Sequence, residues 1–213
     1  MDMMFGKLDP ALQLIILMAS LSLVPFVVVS MTSFLRYMIV LSILKTALGT
    51  QQVPPAIVLV GMALVLTMYT MSPVFGEIYT KVNPIMQKNG SVVQIMGTAS
   101  EPLKNFMMRQ TRQSDVAFFI QMSHARPPQS AKDLTLWEVA PAFMISELRT
   151  AFEIGFIIFI PFIVIDLVVA NILLALGMMM LSPTIISLPF KILIFVAVDG
   201  WSLIVNGLIQ SFN

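Results

Sequence analysis

Residues 154–201 read IGFIIFIPFIVIDLVVANILLALGMMMLSPTIISLPFKILIFVAVDGW. The stretch begins an apolar region that is long enough for two membrane-spanning segments, at about 154–180 and 185–210. A membrane-spanning helix needs roughly 20 apolar residues. A carboxylate interrupts each segment, Asp166 in the first and Asp199 in the second. The stretch therefore predicts a C-terminal hydrophobic hairpin.

The charges divide the rest of the chain. Residues 77–153 hold 15 of the 23 charged side chains, whereas two uncharged segments, at about 11–33 and 55–75, lie nearer the N-terminus. The sequence predicts an all-α protein of three regions. These are an N-terminal hydrophobic hairpin at 1–76, a charged middle helical region at 77–146, and a C-terminal hydrophobic hairpin with a Met-rich loop at 147–213.

The composition excludes several classes of protein. Of 213 residues, 58% are hydrophobic and 11% are charged, and the mean hydropathy is +0.92. Soluble domains carry about 25% charged residues, so a soluble enzyme is excluded. A net charge of +1 is too balanced for nucleic-acid binding. Without cysteines and with one histidine, His124, the chain offers little for a metal or cofactor. We expect a membrane protein.

The N-terminus and the orientation give weaker signals. The N-terminus carries the acidic Asp2, and its apolar run exceeds the 7–15 residues of a signal-peptide core, so this segment does not resemble a cleavable signal. Residues 77–153 contain eight Lys or Arg residues, which favours a cytoplasmic side for the middle region. The positive-inside rule weakens for loops beyond about 60 residues, so this count does not decide the orientation.

The hydrophobic segments are unusual for helices that face lipid. Pro25 and Pro161 lie inside them, and a backbone group freed by proline needs a partner in protein or water. The first segment is also rich in Ser and Thr, which suit close helix contacts. Two interpretations stay open: an oligomer whose subunits bury one another's helices, and a proline-kinked monomeric bundle.

The middle region is expected to break into short pieces at turn-forming residues, namely Pro84, Asn89-Gly90, Gly97, Pro102 and Pro127-Pro128. Within it, residues 103–122 place apolar side chains, among them Phe106 and Phe119, at helical spacing. This pattern predicts an amphipathic helix whose aromatic residues pack against a neighbouring subunit. The alternative is a helix that packs on its own domain.

Four charged residues lie in apolar surroundings: Glu147, Asp166, Lys191 and Asp199. An isolated ion in a low-dielectric site costs several kcal/mol, so each needs a partner or contact with water. Lys191 is the only basic residue after Arg149 and must serve the nearest carboxylate. We favour pairing for Glu147 and Lys191. The alternative for all four is a position at the membrane boundary.

The two apolar-segment carboxylates, Asp166 and Asp199, suggest two further functions. An intramembrane aspartyl protease needs two carboxylates that share a proton, and the glycine-framed GxGD element expected for it is absent. We reject this enzyme, and no other catalytic motif is present. A small-solute or proton-coupled transporter built around the two carboxylates remains the alternative function.

Methionine is abundant, with 18 residues, and three are consecutive: Met178, Met179 and Met180. Consecutive residues of a helix point in different directions, whereas in a loop between Gly177 and Pro183 all three could reach one lumen. The flexible, polarizable thioether suits a deformable seal. The alternative is methionine as core filler.

Several long stretches together resemble the FliP/SctR family over essentially the whole chain: PAFMISELRTAFEIGF (141–156), LPFKILIFVAVDGW (188–201), TSFLRYMIVLSILKTALGTQQVPP (32–55) and GMMMLSPT (177–184). The family has a flagellar and an injectisome branch. The stretch PLKNFMMRQTRQSDVAFF (102–119) and the ending GLIQSFN are more similar to the flagellar branch, which we favour.

The resemblance implies a pore-forming subunit of the bacterial type III protein export gate. Such a subunit conducts unfolded flagellar or effector proteins across the inner membrane without catalysing a reaction or using a cofactor. The implied assembly is a helical cone of five copies, much of it on the periplasmic side in the basal body. Its implied partners are subunits of the FliR/SctT and FliQ/SctS families and a FlhB/SctU-type switch protein.

The resemblance also implies roles for particular residues. Met178, Met179 and Met180 become a gasket around the closed channel, and Glu147 and Lys191 become an ion pair between subunits.

Overall fold

The computed structural model describes residues 10–50, 53–88, 92–122 and 134–212. In these ranges all regular secondary structure is helical, which confirms the prediction of an all-α fold. The helices are α1 (Pro10–Met31), α2 (Phe34–Ala47), α3 (Ala56–Gln87), α4 (Val92–Gln110), α5 (Gln113–Met122), α6 (Leu136–Ala175), α7 (Pro183–Ala197) and α8 (Gly200–Gln210).

Two of these helices are long and apolar enough to cross a membrane: α3, with 32 residues, and α6, with 40 residues. Two bent pairs also pass the test of length and composition when each pair is taken as one span. The end of α1 (Pro25–Met31) meets α2 at 80°, and α7 meets α8 at 65°. The described part of the chain therefore holds between two and four candidate spans.

The expected breaks in the middle region are partly wrong. Helix α3 continues through Pro84, and α4 continues through Gly97 and Pro102. A proline removes one main-chain hydrogen bond, but packing can offset that loss, and Pro102 is fully buried. The stretch 103–122, expected as one helix, is divided between α4 and α5. The breaks expected at Asn89-Gly90 and Pro127-Pro128 lie outside the described residues, as does His124.

The chain forms two compact units, each made of two separate stretches. The first unit comprises Met1–Leu35 and Met68–Glu147. Its buried apolar side chains include Met71, Met107 and Phe143.

The second unit comprises Arg36–Thr67 and Leu148–Asn213. Its core contains five buried residues, Leu44, Ala47, Leu48, Phe162 and Phe195. Gly155 lets α6 approach α2 closely, because a Cβ added there would lie 2.4 Å from Cδ1 of Ile43. The three regions predicted from charge describe composition along the chain, and that division stays a prediction.

Candidate functional site

The methionine run lies on a loop that joins α6 to α7. Gly177, with φ +76°, ends α6: its N–H bonds to the carbonyl of Leu174, and the N–H of Met178 bonds to that of Leu173 at 2.9 Å. This pair of bonds is a Schellman motif, which favours glycine at the left-handed position. Pro183 begins α7 at a position where its missing N–H costs nothing.

The three side chains are open to their surroundings in the single chain. Met178 is 38% exposed, Met179 is 79% exposed and Met180 is 100% exposed. Three apolar side chains on an exposed loop do not fill the core of their own chain. Filling the chain's own core therefore does not explain the run, although the gasket role itself stays a prediction.

A polar cluster joins α2, α6 and α7 inside the second unit. Lys191 Nζ lies 2.7 Å from Asp166 Oδ2 and donates to the carbonyl of Ala47 at 3.1 Å. Ser187 Oγ donates to Asp166 Oδ1 at 2.5 Å. Lys191 is only 3% exposed, and the side chain of Asp166 is 28% exposed. The cluster satisfies a buried ammonium with a carboxylate and a carbonyl.

The carbonyl of Ala47 gives this cluster a second effect. Ala47 is the last residue of α2, and the final carbonyls of a helix lack intrahelical partners and carry partial negative charge. The ammonium of Lys191 therefore caps α2 and also neutralises Asp166. One side chain fixes the mutual placement of three helices.

Among the predicted charges, Lys191 does serve a nearby carboxylate, and within the chain this carboxylate is Asp166. Glu147 is fully buried and makes an interaction of its own. Its pairing with Lys191 between copies stays a prediction. Sequence reasoning missed two members of the cluster. Ser187 lies one helical turn before Lys191, so its spacing could have revealed it, but no side-chain pattern signals the Ala47 carbonyl.

Asp199 lies at the bend between α7 and α8, in a left-handed conformation with φ +50°. It is exposed, and its side chain makes no capping hydrogen bond to α8. The next residue must be glycine, because a Cβ on Gly200 would lie 2.3 Å from Cε2 of Phe195. Phe195 in turn packs edge-on against Trp201, at 5.3 Å between ring centroids. Aromatic packing therefore holds the bend.

Arg36 was not recognised from the sequence. It is 2% exposed, and its guanidinium donates to the Ser211 carbonyl at 2.7 Å and to Ser211 Oγ at 2.9 Å. It also lies 3.7 Å from the centroid of the Phe212 ring, and Tyr37 packs on the same ring. This contact ties the end of the chain to α2.

The two predicted packing aromatics differ in their surroundings. Phe106 is 5% exposed and packs edge-on against Phe143, at 6.0 Å between ring centroids, so it belongs to the core of its own unit. Phe119 is half-buried and contacts Phe118, which is 55% exposed. A subunit contact at Phe119 stays a prediction.

Long apolar helices, sharp helix bends and an exposed apolar loop define a helical protein associated with a membrane. The sequence model of the FliP family matches residues 17–208, and the chain belongs to this family. The flagellar biosynthetic protein FliP of Bacillus subtilis is 49% identical over 214 residues, which cover 98% of this chain and 97% of that protein.

Two further relatives carry the same name. FliP of Caulobacter vibrioides is 47% identical, with 98% of this chain and 79% of that protein covered. FliP of Pectobacterium carotovorum is 46% identical, with 95% and 79% covered. The resemblance noted in the sequence is confirmed, and the names of these relatives support the flagellar branch.

Proposed function

We propose that the chain is the pore-forming core subunit of the flagellar type III export gate. It conducts unfolded flagellar proteins across the inner membrane and itself catalyses no reaction. The observation that carries this proposal is the methionine loop. Three consecutive thioether side chains lie on a loop bounded by Gly177 and Pro183, exposed from 38% to 100%.

The exposure of these side chains supports a role in an assembly. Apolar side chains gain about 25 cal/mol for each Å² removed from water, so an exposed run of methionines favours association with other apolar surface. Loops from several copies can meet in a ring that closes a channel. Flexible thioethers can yield to a passing polypeptide and then close behind it, which excludes water and ions.

The helices support the same conclusion. In the most apolar window of α6 only 11% of the residues are buried inside the chain, and in that of α3 only 28%. Lipid or neighbouring subunits must cover the rest. In the proposed assembly, five copies form a helical cone with FliR/SctT-type and FliQ/SctS-type subunits and meet a FlhB/SctU-type switch protein. Much of the cone lies on the periplasmic side of the inner membrane.

The polar cluster argues against a transporter built around the carboxylates of Asp166 and Asp199. Asp166 is already occupied by Lys191 and Ser187, which leaves it poorly placed to take up and release a cation. Asp199 lies at the bend between α7 and α8, and in the described residues its side chain makes no hydrogen bond or ion pair with this cluster. We therefore propose no second function.

Replacing Met178, Met179 and Met180 together with alanine tests the seal. The variant keeps the loop backbone and loses the side-chain length that fills the lumen, so it should assemble and yet leak ions. A triple leucine variant, similar in volume but stiffer, should stay sealed and secrete less. Met96→Ala is the matched control, because Met96 is 68% exposed on α4, away from the loop.

The deciding measurement is the conductance of the gate reconstituted in a bilayer, with native mass spectrometry to count the copies. A pentameric core and a leak only in the alanine triple variant are expected. A triple variant as tight as the parent would show that the methionines do not seal the channel. A monomer or dimer would contradict the export-gate proposal as a whole.

A further inference from the structure

The charges of the second unit are almost all paired. Of its seven charged side chains, Arg36 bonds to Ser211, and Asp166 pairs with Lys191. Arg149 and Glu153 each make an interaction as well. Two charges remain, one of each sign: Lys45 and Asp199. Within the described ranges, neither of these two side chains makes a hydrogen bond or an ion pair.

Lys45 lies in the last turn of α2 and is half-buried. The helix terminus gives its positive charge a modest favourable environment. The helix terminus does not supply a carboxylate for Lys45. The last carbonyl of the helix, that of Ala47, is already bonded to Lys191. The ammonium of Lys45 is therefore free to meet an acidic group outside its own chain.

Asp199 is a carboxylate surrounded by exposed apolar side chains. Val196 is 69% exposed, Val198 is 57% exposed and Leu203 is 67% exposed. Once lipid or protein covers this surface, a charge there is costly unless a cation meets it. No basic residue close to Asp199 in sequence is available to pair with it, because Lys191 already forms an ion pair with Asp166.

The backbone of Asp199 adds a second argument. A left-handed conformation is uncommon for a residue other than glycine, although Asp adopts it more readily than most, and such residues are found at binding sites. The conformation does not serve to cap α8, because the side chain makes no capping bond. Among the described residues, the carboxylate has no hydrogen-bond or ion-pair partner in its own chain.

We propose that Lys45 of one copy forms an ion pair with Asp199 of the next copy, so that the partner for this surface is a second copy of the same chain. The proposal rests on the proposed function only in requiring several copies. A contact in which Lys45 of each copy meets Asp199 of the next copy is head-to-tail. Head-to-tail contacts extend into rings or open helices, which is the symmetry that a helical cone needs.

The chain is suited to a direct test by disulfide cross-linking, since it contains no cysteine. The full-length double variant Lys45→Cys with Asp199→Cys is expressed together with its flagellar partners and oxidised in membranes with copper phenanthroline. We expect disulfide-linked dimers and larger species on a non-reducing gel. The matched control is Ile57→Cys with Asp199→Cys, because Ile57 is 76% exposed in the same unit, and it should give at least several-fold less product.

Charge reversal provides the second measurement. Lys45→Asp and Asp199→Lys should each weaken association by about 10-fold or more, and the double reversal should restore it to within a few-fold. A fast-migrating monomer with an internal disulfide would overturn the proposal. Intact oligomers without the cross-link would overturn it and leave the export-gate proposal standing, whereas a chain that stays monomeric would overturn both.

Discussion

Lys191 shows what one buried charge does in this protein. Its ammonium holds Asp166 at 2.7 Å and the Ala47 carbonyl at 3.1 Å. A buried pair gives little net stability relative to apolar residues, but breaking it leaves the other charge stranded. The cluster therefore specifies how α2, α6 and α7 fit together more than it adds to stability.

Lys191→Ala should lower the free energy of unfolding by about 3–5 kcal/mol, because among the described residues it leaves Asp166 with Ser187 alone as a polar partner. Exchanging the two residues, Lys191→Asp with Asp166→Lys, should recover part of the loss. Thermal unfolding of the detergent-solubilised protein measures both. Lys81→Ala is the control, since Lys81 also contacts two carboxylates, Glu77 and Glu101, but at the exposed surface, where such pairs contribute little. Equal effects at both lysines would contradict this account.

The sequence predicted this site only in part. The rule that an isolated charge in an apolar segment needs a partner correctly required one for Lys191. It could not choose between Glu147 and Asp166, because that choice depends on which helix faces lie together. Arg36 was missed for a similar reason: its partners, Ser211 and Phe212, are distant in sequence and have no charge that would suggest pairing.

The apolar runs in the sequence predicted that a helix is present more reliably than they predicted where it begins and ends. The segments at 11–33 and 55–75 correspond to α1 and to the first part of α3. Helix α6 was expected to start near residue 154, yet it begins at Leu136, because a few separated charged residues do not end a helix. Helix α2 was not predicted as a separate helix, since Arg36 and Lys45 interrupt the apolar sequence there. The bends depend on packing that no local pattern encodes.

The bend between α7 and α8 gives a prediction about glycines. Gly200→Ala should destabilise the protein, because the new Cβ would lie within 2.8 Å of three atoms of the Phe195 ring, a ring already packed against Phe162 and Trp201. We expect a loss of about 1–3 kcal/mol, the usual cost of overpacking. Gly207→Ala, in the same helix, meets no atom within 4 Å and should be neutral or stabilising by up to about 1 kcal/mol.

Unfolding curves of the two variants, measured under the same detergent conditions, check this difference. If Gly200→Ala were as stable as Gly207→Ala, the aromatic packing around Phe195 could not be what holds the bend. The comparison is internal to α8, so a general effect of added helix propensity cancels between the two variants.

For the molecule as a whole, the long helices set the possible membrane topology. If α3 and α6 each cross the bilayer, the middle region between them lies on one side, and the connection between α2 and α3 lies on the other. The count of basic residues favoured a cytoplasmic side for the middle region without deciding the orientation. The proposed function would place it on the periplasmic side, and the positive-inside rule carries little weight for so long a loop.

Single cysteines can decide the topology, because the chain has none of its own. Asn105→Cys reports on the middle region, where Asn105 is exposed on α4, and Val53→Cys reports on the α2–α3 connection, where Val53 is 68% exposed. In right-side-out membrane vesicles, a membrane-impermeant maleimide should label Asn105→Cys and should reach Val53→Cys only after detergent opens the membrane. Cytoplasmic placement of the middle region would reverse this pattern. Labelling of both cysteines in closed vesicles would show that α3 does not cross the bilayer, because both its ends would then face the periplasm.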